Sequence, residues 1–211
     1  MKYRALIPLV TLGLAWCTAG HAGITDFQYT SDYTNFSCNA TISYNIDRTI
    51  GTVAMDAYQY GLRGMMGGTI TTDSPNDPSL VINGEVDNDT ATAWIGYDIT
   101  VYMNRNFSLS GVGVGPIPPG WSFTTTAAAA GPGTYYGASE YSASIHFTRG
   151  LGPVVAPGGE FDFTYTLNFS GSTSYSFTAD MNPVVPEPSV AALALVGGGI
   201  LFARYRRNRA K

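Results

Sequence analysis

The sequence FDFTYTLNF, residues 161–169, alternates large apolar side chains with polar ones without a break. Its apolar members are Phe161, Phe163, Tyr165, Leu167 and Phe169. A spacing of two residues places side chains on the same face of an extended strand. The stretch therefore predicts a β-strand with one face in a hydrophobic core and the other in solvent.

The same alternation recurs along the central part of the chain, and no segment there has helical spacing. Gly- and Pro-rich turns separate the alternating segments, as in Ser74–Pro78 and Pro157–Gly159. We predict an all-β fold, an antiparallel β-sandwich of the jelly-roll or immunoglobulin-like kind rather than a closed barrel. The clear strand candidates are 36–46, 95–103, 141–147 and 175–177, and the weaker ones are 27–29, 53–60, 69–71, 80–82, 107–109 and 121–124.

The charges of this 211-residue chain are segregated along its length. Between residues 23 and 185 there are 14 acidic residues and only four basic ones, which gives this part a formal charge of −10. An acidic surface repels phosphate backbones, so nucleic acid is excluded as a partner. The composition, with 45% hydrophobic and 12% charged residues, suits one globular domain with a sizeable core.

The N-terminus has the three-part layout of a secretory signal peptide. Lys2 and Arg4 precede an uncharged stretch over residues 5–16, and small residues follow up to Ala22. An apolar run of about a dozen residues is short for a bilayer core of ~30 Å, so we favour a cleaved signal over a membrane anchor. We predict a signal peptide over residues 1–22 with cleavage after Ala22, and cleavage after Ala19 is the alternative.

The C-terminus carries a motif, an apolar run and a basic cluster in that order. Pro186, Glu187 and Pro188 precede the uncharged residues 189–203. Fifteen helical residues rise about 22 Å, so we predict a single, marginal transmembrane helix. Basic residues after such a run stay in the cytoplasm. The predicted cytoplasmic cluster is Arg204, Arg206, Arg207, Arg209 and Lys211.

This C-terminal arrangement resembles the PEP-CTERM sorting tail of proteins exported by Gram-negative bacteria. The resemblance covers residues 184–211 and leaves the predicted exported domain, residues 23–183, without a family. It implies recognition by an exosortase, a membrane transpeptidase that removes the tail near the Pro-Glu-Pro motif. It also implies association with exopolysaccharide and biofilm. The tail resembles the C-terminal segment of some ice-binding proteins as well.

Residues for metal or nucleophilic chemistry are scarce. Cys38 and His146 are the only cysteine and histidine beyond the signal, so a zinc site or a histidine-based triad lacks partners. Glu160 and Asp162, or Glu140, suggest a glycosidase pair only in residue type, because sequence spacing does not reveal the distance between carboxylates. We therefore expect neither an enzyme nor a cofactor.

Two loops invite a ligand interpretation. Asp87 and Asp89, two residues apart in an acidic stretch, carry carboxylate oxygens that could bind calcium, and they form a calcium candidate. Thr92, however, stands where a calcium-binding loop of the helix-loop-helix kind requires glycine. The glycine-rich residues 111–115 run into Pro116 instead of a helix, which predicts a loop and not a phosphate site. We therefore predict no metal beyond this calcium candidate.

The aromatic residues offer a candidate carbohydrate surface. We predict Trp94 to be in the core, whereas Trp121, Tyr135 and Tyr136 are candidates for stacking on sugar rings. The favoured function is a non-catalytic surface or matrix protein, held by its C-terminal helix in the inner membrane before processing. A carbohydrate-binding module is the alternative. Ice binding is a third interpretation, but Thr69-Ile70-Thr71 is too isolated to provide a regular threonine array.

Overall fold

The structure is a computed structural model that describes residues 22–113 and 120–187. Residues 1–21 of the predicted signal peptide and residues 188–211 of the predicted sorting tail lie outside the described residues. The described residues form β1 (Ile24–Ser31), β2 (Phe36–Tyr44), β3 (Ile50–Gln59), β4 (Gly64–Thr72), β5 (Ser79–Asn88), β6 (Gly96–Met103), β7 (Phe107–Gly113), β8 (Ser122–Thr125), β9 (Ala129–Ala130), a 3-10 turn (Gly137–Ser139), β10 (Tyr141–Thr148), β11 (Glu160–Phe169) and β12 (Ser174–Val184).

These strands form two sheets. The seven-stranded sheet has the order β1-β4-β12-β6-β10-β8, and the short β9 also pairs with β10. The five-stranded sheet has the order β2-β3-β5-β11-β7. All pairs are antiparallel except β3 with β5, which run parallel. The all-β prediction is confirmed, and the two sheets are consistent with a β-sandwich.

The core lies between the two sheets and is rich in aromatic rings. The five apolar residues of β11 are all buried, as the alternation predicted. Phe161 of β11 meets Tyr97 of β6 at 5.0 Å and Phe147 of β10 at 5.3 Å, measured between ring centroids. Trp94 is fully buried against Tyr97. These contacts cross from one sheet to the other and bury the apolar face of each.

The predicted strand positions are confirmed, but some details differ. β2 ends at Tyr44, and Ile46, predicted on the apolar face of this strand, is fully exposed. The glycines at 111 and 113 belong to the end of β7, an edge strand of the five-stranded sheet, and not to a loop. Gly111 has a φ of +56° and lies where the register between β7 and β11 shifts, a backbone conformation that glycine adopts without strain. The parallel pairing of β3 and β5 was not predicted from the sequence, because no local pattern distinguishes a parallel partner from an antiparallel one.

The two ends of the described chain leave opposite ends of the seven-stranded sheet. Ile24 and Ser174, the first residues of β1 and β12, pair with the adjacent Thr72 and Thr71 of β4. Ten residues later, Val184 pairs with Gly96 at the far end. At about 3.3 Å per residue, the N-terminus and the C-terminus of the body are about 30 Å apart along the sheet.

Candidate functional site

The outer face of the five-stranded sheet carries a dense group of carboxylates. Register aligns Asp56 of β3 with Glu85 of β5, and Glu85 with Asp162 of β11. The next row aligns Asp87 with Glu160. Strand alternation points all five side chains away from the core. We call the group Asp56, Glu85, Asp87, Glu160 and Asp162 the acidic face.

The carboxylates of the acidic face repel one another. Carboxylate oxygens of Glu85, Glu160 and Asp162 lie within 4.8 Å of one another. Within the described residues, the ion pair found is His146 with Asp98, so no basic side chain offsets this charge. The charge of Glu160 raises the pKa of Glu85, and partial burial followed by like charge raises the pKa of Asp87 and of Glu160. Partial burial also raises the pKa of Asp162.

A groove of about 640 Å³ crosses this face over β2, β3, β5 and β11. One side of the groove is the row Asn39, Asp56, Glu85 and Asp162, and the other is the row Thr41, Ala54, Asn83 and Thr164. The small side chain of Ala54 leaves space between its larger neighbours. The lining therefore combines amides, hydroxyls and carboxylates over an apolar floor.

Gly84 and Phe163 form part of the floor. A Cβ atom at position 84 would lie 2.3 Å from Cζ of the Phe163 ring, so the ring occupies the space of a missing side chain. On the outer surface, the Thr164 hydroxyl donates to Oδ1 of Asn83 at 2.7 Å. The floor is thus fixed by core packing, and part of the rim is fixed by a cross-strand hydrogen bond.

Two tyrosines, Tyr58 of β3 and the following Tyr60, lie beside the acidic rim and outside the lining of the groove. Tyr58 is half-buried in the row between Ser37 and Asp87. The Tyr60 side chain is 47% exposed, and its hydroxyl is 3.2 Å from the Ser37 hydroxyl. The nearby charge of Asp56 raises the pKa of Tyr58. Sequence reasoning overlooked these rings, although the alternation of β3 places residues 54, 56 and 58 on one face.

The opposite outer face, on the seven-stranded sheet, is partly covered by the loop 131–139, which Glu140 organises. Oε1 of Glu140 accepts backbone N–H groups of Gly133 at 2.8 Å and Thr134 at 3.1 Å, and Oε2 accepts those of Tyr135 at 2.7 Å and Tyr136 at 3.0 Å. Desolvation opposes ionisation of this carboxyl, but the four hydrogen bonds prevail and lower its pKa. Glu140 is therefore engaged in holding this loop, and it precedes β10 of the seven-stranded sheet, whereas Glu160 is in the five-stranded sheet.

The three side chains predicted to contact carbohydrate, Trp121, Tyr135 and Tyr136, make hydrogen bonds and ring contacts within the body. They do so in two separate places. Tyr135 donates its hydroxyl to Oδ1 of Asp180 at 2.7 Å and packs on Tyr102, while the Tyr136 hydroxyl is 2.9 Å from that of Thr178. Trp121 instead donates Nε1–H to the carbonyl of Pro153 at 2.9 Å and packs on Phe161 at 5.3 Å. The structure does not bring Trp121 together with the tyrosine pair.

The other residues considered for site chemistry are the calcium candidates Asp87 and Asp89 and the thiol of Cys38. Asp87 is the penultimate residue of β5, on the acidic face, and Asp89 directly follows the strand, so the calcium site stays a prediction there. The Asn88 amide between them is buried, and its Nδ2 donates to the carbonyls of Thr92 and Val155. Cys38 is buried, and burial raises the pKa of its thiol to about 11, which disfavours a reactive thiolate.

The residues next to the two predicted processing sites differ in their hydrogen bonding and exposure. At the N-terminal side, Gly23 N–H donates to Oδ1 of Asp73 at 2.7 Å, and Asp73 N–H donates back to the Gly23 carbonyl at 2.9 Å. At the C-terminal side, Pro186 and Glu187 follow β12 and are exposed. Pro188 and the basic cluster lie outside the described residues.

The comparisons with known proteins leave the family open. No family model matches this chain, and no curated protein is significantly similar to it. Within the described residues, no helix has the length and apolar character needed to cross a membrane. The function therefore has to follow from the grooved acidic face, the loop-covered opposite face and the two chain ends.

Proposed function

We propose that this chain is a non-catalytic exported protein of a Gram-negative bacterium, delivered to the cell surface or extracellular polysaccharide matrix by a PEP-CTERM tail. The observation that carries the proposal is the order of parts: a signal-like N-terminus, an acidic β-rich body, and the tail over residues 184–211. An exosortase-type transpeptidase is the proposed processing partner. The finer classes, a jelly-roll or immunoglobulin-like sandwich and a transmembrane helix after Pro188, are part of this proposal.

The C-terminal boundary of the body supports processing at the motif. β12 ends at Val184, and only the half-buried Val185 separates it from the exposed Pro186 and Glu187. A transpeptidase at the membrane would thus reach the motif without unfolding a strand. The body would then be placed close to the membrane before release.

The contacts of Gly23 are compatible with cleavage after Ala22, but Ala22 itself is buried and donates its N–H to the carbonyl of Asn76 at 2.6 Å. Cleavage there would convert the Gly23 amide, 2.7 Å from Oδ1 of Asp73, into an α-ammonium group facing a carboxylate. A Cβ atom at position 23 would lie 2.9 Å from Oδ2 of Asp73, so glycine suits this position. Because the two ends of the body are about 30 Å apart, the new N-terminus would point away from the membrane.

The experiment is intact-mass measurement of the protein recovered from the membrane and extracellular fractions of its native host. We expect the extracellular species to begin at Gly23 and to lack Arg204 to Lys211. The Glu187→Gln variant should accumulate in the membrane with its C-terminus intact, whereas the matched Glu160→Gln variant in the body should be processed normally. A wild-type protein that keeps Lys211 in every fraction would contradict the proposal.

Carbohydrate binding by the body is the second candidate function. The specific observation in its favour is the groove on the acidic face, with its amide and hydroxyl rim, and Tyr58 and Tyr60 beside its acidic rim. The surface first predicted from Trp121, Tyr135 and Tyr136 receives less support, because these side chains are engaged within the body. Retention on polysaccharide gels that falls in Tyr58→Ala, and not in Trp121→Phe, would locate the binding surface.

A further inference from the structure

We propose that the groove on the acidic face binds an extended polysaccharide with free amino groups, such as a β-1,4-linked glucosamine polymer, lying across the strands. The proposal deepens the proposed function and rests on it only for access to a polysaccharide matrix. It is carried by three features together: the shape of the groove, the charge of one rim, and the polar and aromatic groups around it.

The shape of the groove suits a linear chain. Its lining spans four neighbouring strands and two side-chain rows. Neighbouring strands lie about 4.8 Å apart, so the groove is about 14 Å long across the strands. One pyranose unit of a β-1,4-linked chain advances by a similar length to the strand spacing. About three sugar units would therefore each meet the side chains of successive strands.

The charge of the groove selects among polysaccharides. Asp56, Glu85 and Asp162 follow one another along one rim, with Glu160 and Asp87 in the adjoining row. Ammonium groups at regular intervals would relieve the repulsion among these carboxylates and form charge-assisted hydrogen bonds. An acidic polysaccharide would be repelled, and an acetylated one would offer no charge. Complementarity thus favours the free amine.

The uncharged groups favour a sugar over a simple polyamine. Thr41, Asn83 and Thr164 along the other rim present hydroxyl and amide groups that match sugar hydroxyls. Tyr58, in the row that adjoins the acidic rim, and the following Tyr60 provide ring faces beside the groove on which the apolar face of a pyranose would stack. A flexible polyamine would use the carboxylates but neither of these features.

The test is calorimetric titration of the full-length chain, kept in detergent micelles, with a glucosamine hexamer at mildly acidic pH. We expect the glucosamine hexamer to bind about tenfold more tightly than the N-acetylglucosamine hexamer and than spermidine. An oligogalacturonate should not bind. The double variant Asp56→Asn, Glu85→Gln should lose about tenfold in affinity for the glucosamine hexamer, and Tyr58→Ala should lose a smaller factor.

The matched control is Asp98→Asn on the opposite outer face, which should leave the affinity unchanged. Because the neutralising changes remove repulsion, the double variant should melt no lower than the wild type, so a loss of binding is not a loss of folding. Equal affinity for the acetylated hexamer, or for spermidine, would overturn the proposal. Absence of binding would overturn it as well while leaving the processing proposal intact, since intact mass is measured separately.

Discussion

The two outer faces of this body treat their carboxylates in opposite ways. On the seven-stranded sheet, Glu140 accepts four backbone N–H groups, Asp180 accepts the hydroxyl of Tyr135, and Asp98 faces His146 at 2.9 Å. On the five-stranded sheet, Glu85, Glu160 and Asp162 have one another as near neighbours. One face uses negative charge to hold a loop in place, and the other accumulates charge beside an open groove.

The contrast concerns how the carboxylates of each face affect the stability of the fold. A carboxylate with good donors stabilises the fold, while like charges in close proximity oppose it. Stability therefore accounts for the loop-covered face and does not account for the acidic face. We propose that function, rather than folding, explains the residues of the acidic face.

Gly84→Ala should cause the largest loss of stability, because the floor of the groove is a packed part of the core. The added Cβ would lie 2.3 Å from Cζ of Phe163, whose buried ring has little room to move. We expect the free energy of unfolding to fall by about 3 kcal/mol, measured by urea denaturation. Gly113→Ala, whose Cβ would lie 3.1 Å from Cγ2 of Thr164, is the milder control. Equal stability of Gly84→Ala and wild type would show that the floor adapts freely.

Glu140→Gln should destabilise the loop-covered face by about 2 kcal/mol, because the amide keeps one acceptor oxygen and turns an NH₂ group toward backbone donors. The pKa of Glu140 is lower in the folded state than in the unfolded state. Its contribution is therefore complete above the ordinary glutamate pKa and is lost as the pH falls through the folded pKa. Unfolding curves at several pH values should show wild type and variant converging in acid. A constant difference would contradict the role of the charge.

Glu85→Gln should have the opposite sign and raise stability by about 0.5 kcal/mol at neutral pH. The pKa of Glu85 is higher in the folded state, so the folded protein binds more protons just above the ordinary glutamate pKa. The contribution of Glu85 to the stability of the wild type therefore falls as the pH rises from the ordinary glutamate pKa through the folded-state pKa. The advantage of the variant should therefore grow with pH and then level off. Asp180→Asn, which weakens the bond to Tyr135, should instead lower stability.

Sodium chloride should have the smallest effect. Screening of the repulsion on the acidic face should raise the stability of the wild type by roughly a few tenths of a kcal/mol. The double variant Glu85→Gln, Asp162→Asn should gain less from salt than the wild type. An identical salt response in thermal melts of the two proteins would indicate that the acidic face contributes no net repulsion.

Much of the fold, and little of the candidate site, could be predicted from the sequence. Alternation located β11 and placed Cys38 inside, because burial of one strand face is a local property repeated every two residues. The prediction that Trp94 is in the core is also confirmed, but it did not come from alternation, since the apolar series begins at Ile95. The tyrosine pair was identified as a surface feature, yet its loop is held down by Glu140, a contact that no residue pattern shows. Asp87 was identified, but as a calcium candidate with Asp89 instead of as part of the acidic face.

By itself, the sequence determined the strand character of the body, its inward faces, its negative charge and the order of its N-terminal, central and C-terminal parts. These follow from residue types and their spacing along one chain. Tertiary structure alone decided which strands became neighbours. The parallel pairing of β3 with β5 sets Asp56 beside Glu85, and the antiparallel pairing of β5 with β11 adds Asp162. The groove depends on residues more than 100 positions apart, and only long-range strand pairing brings them together.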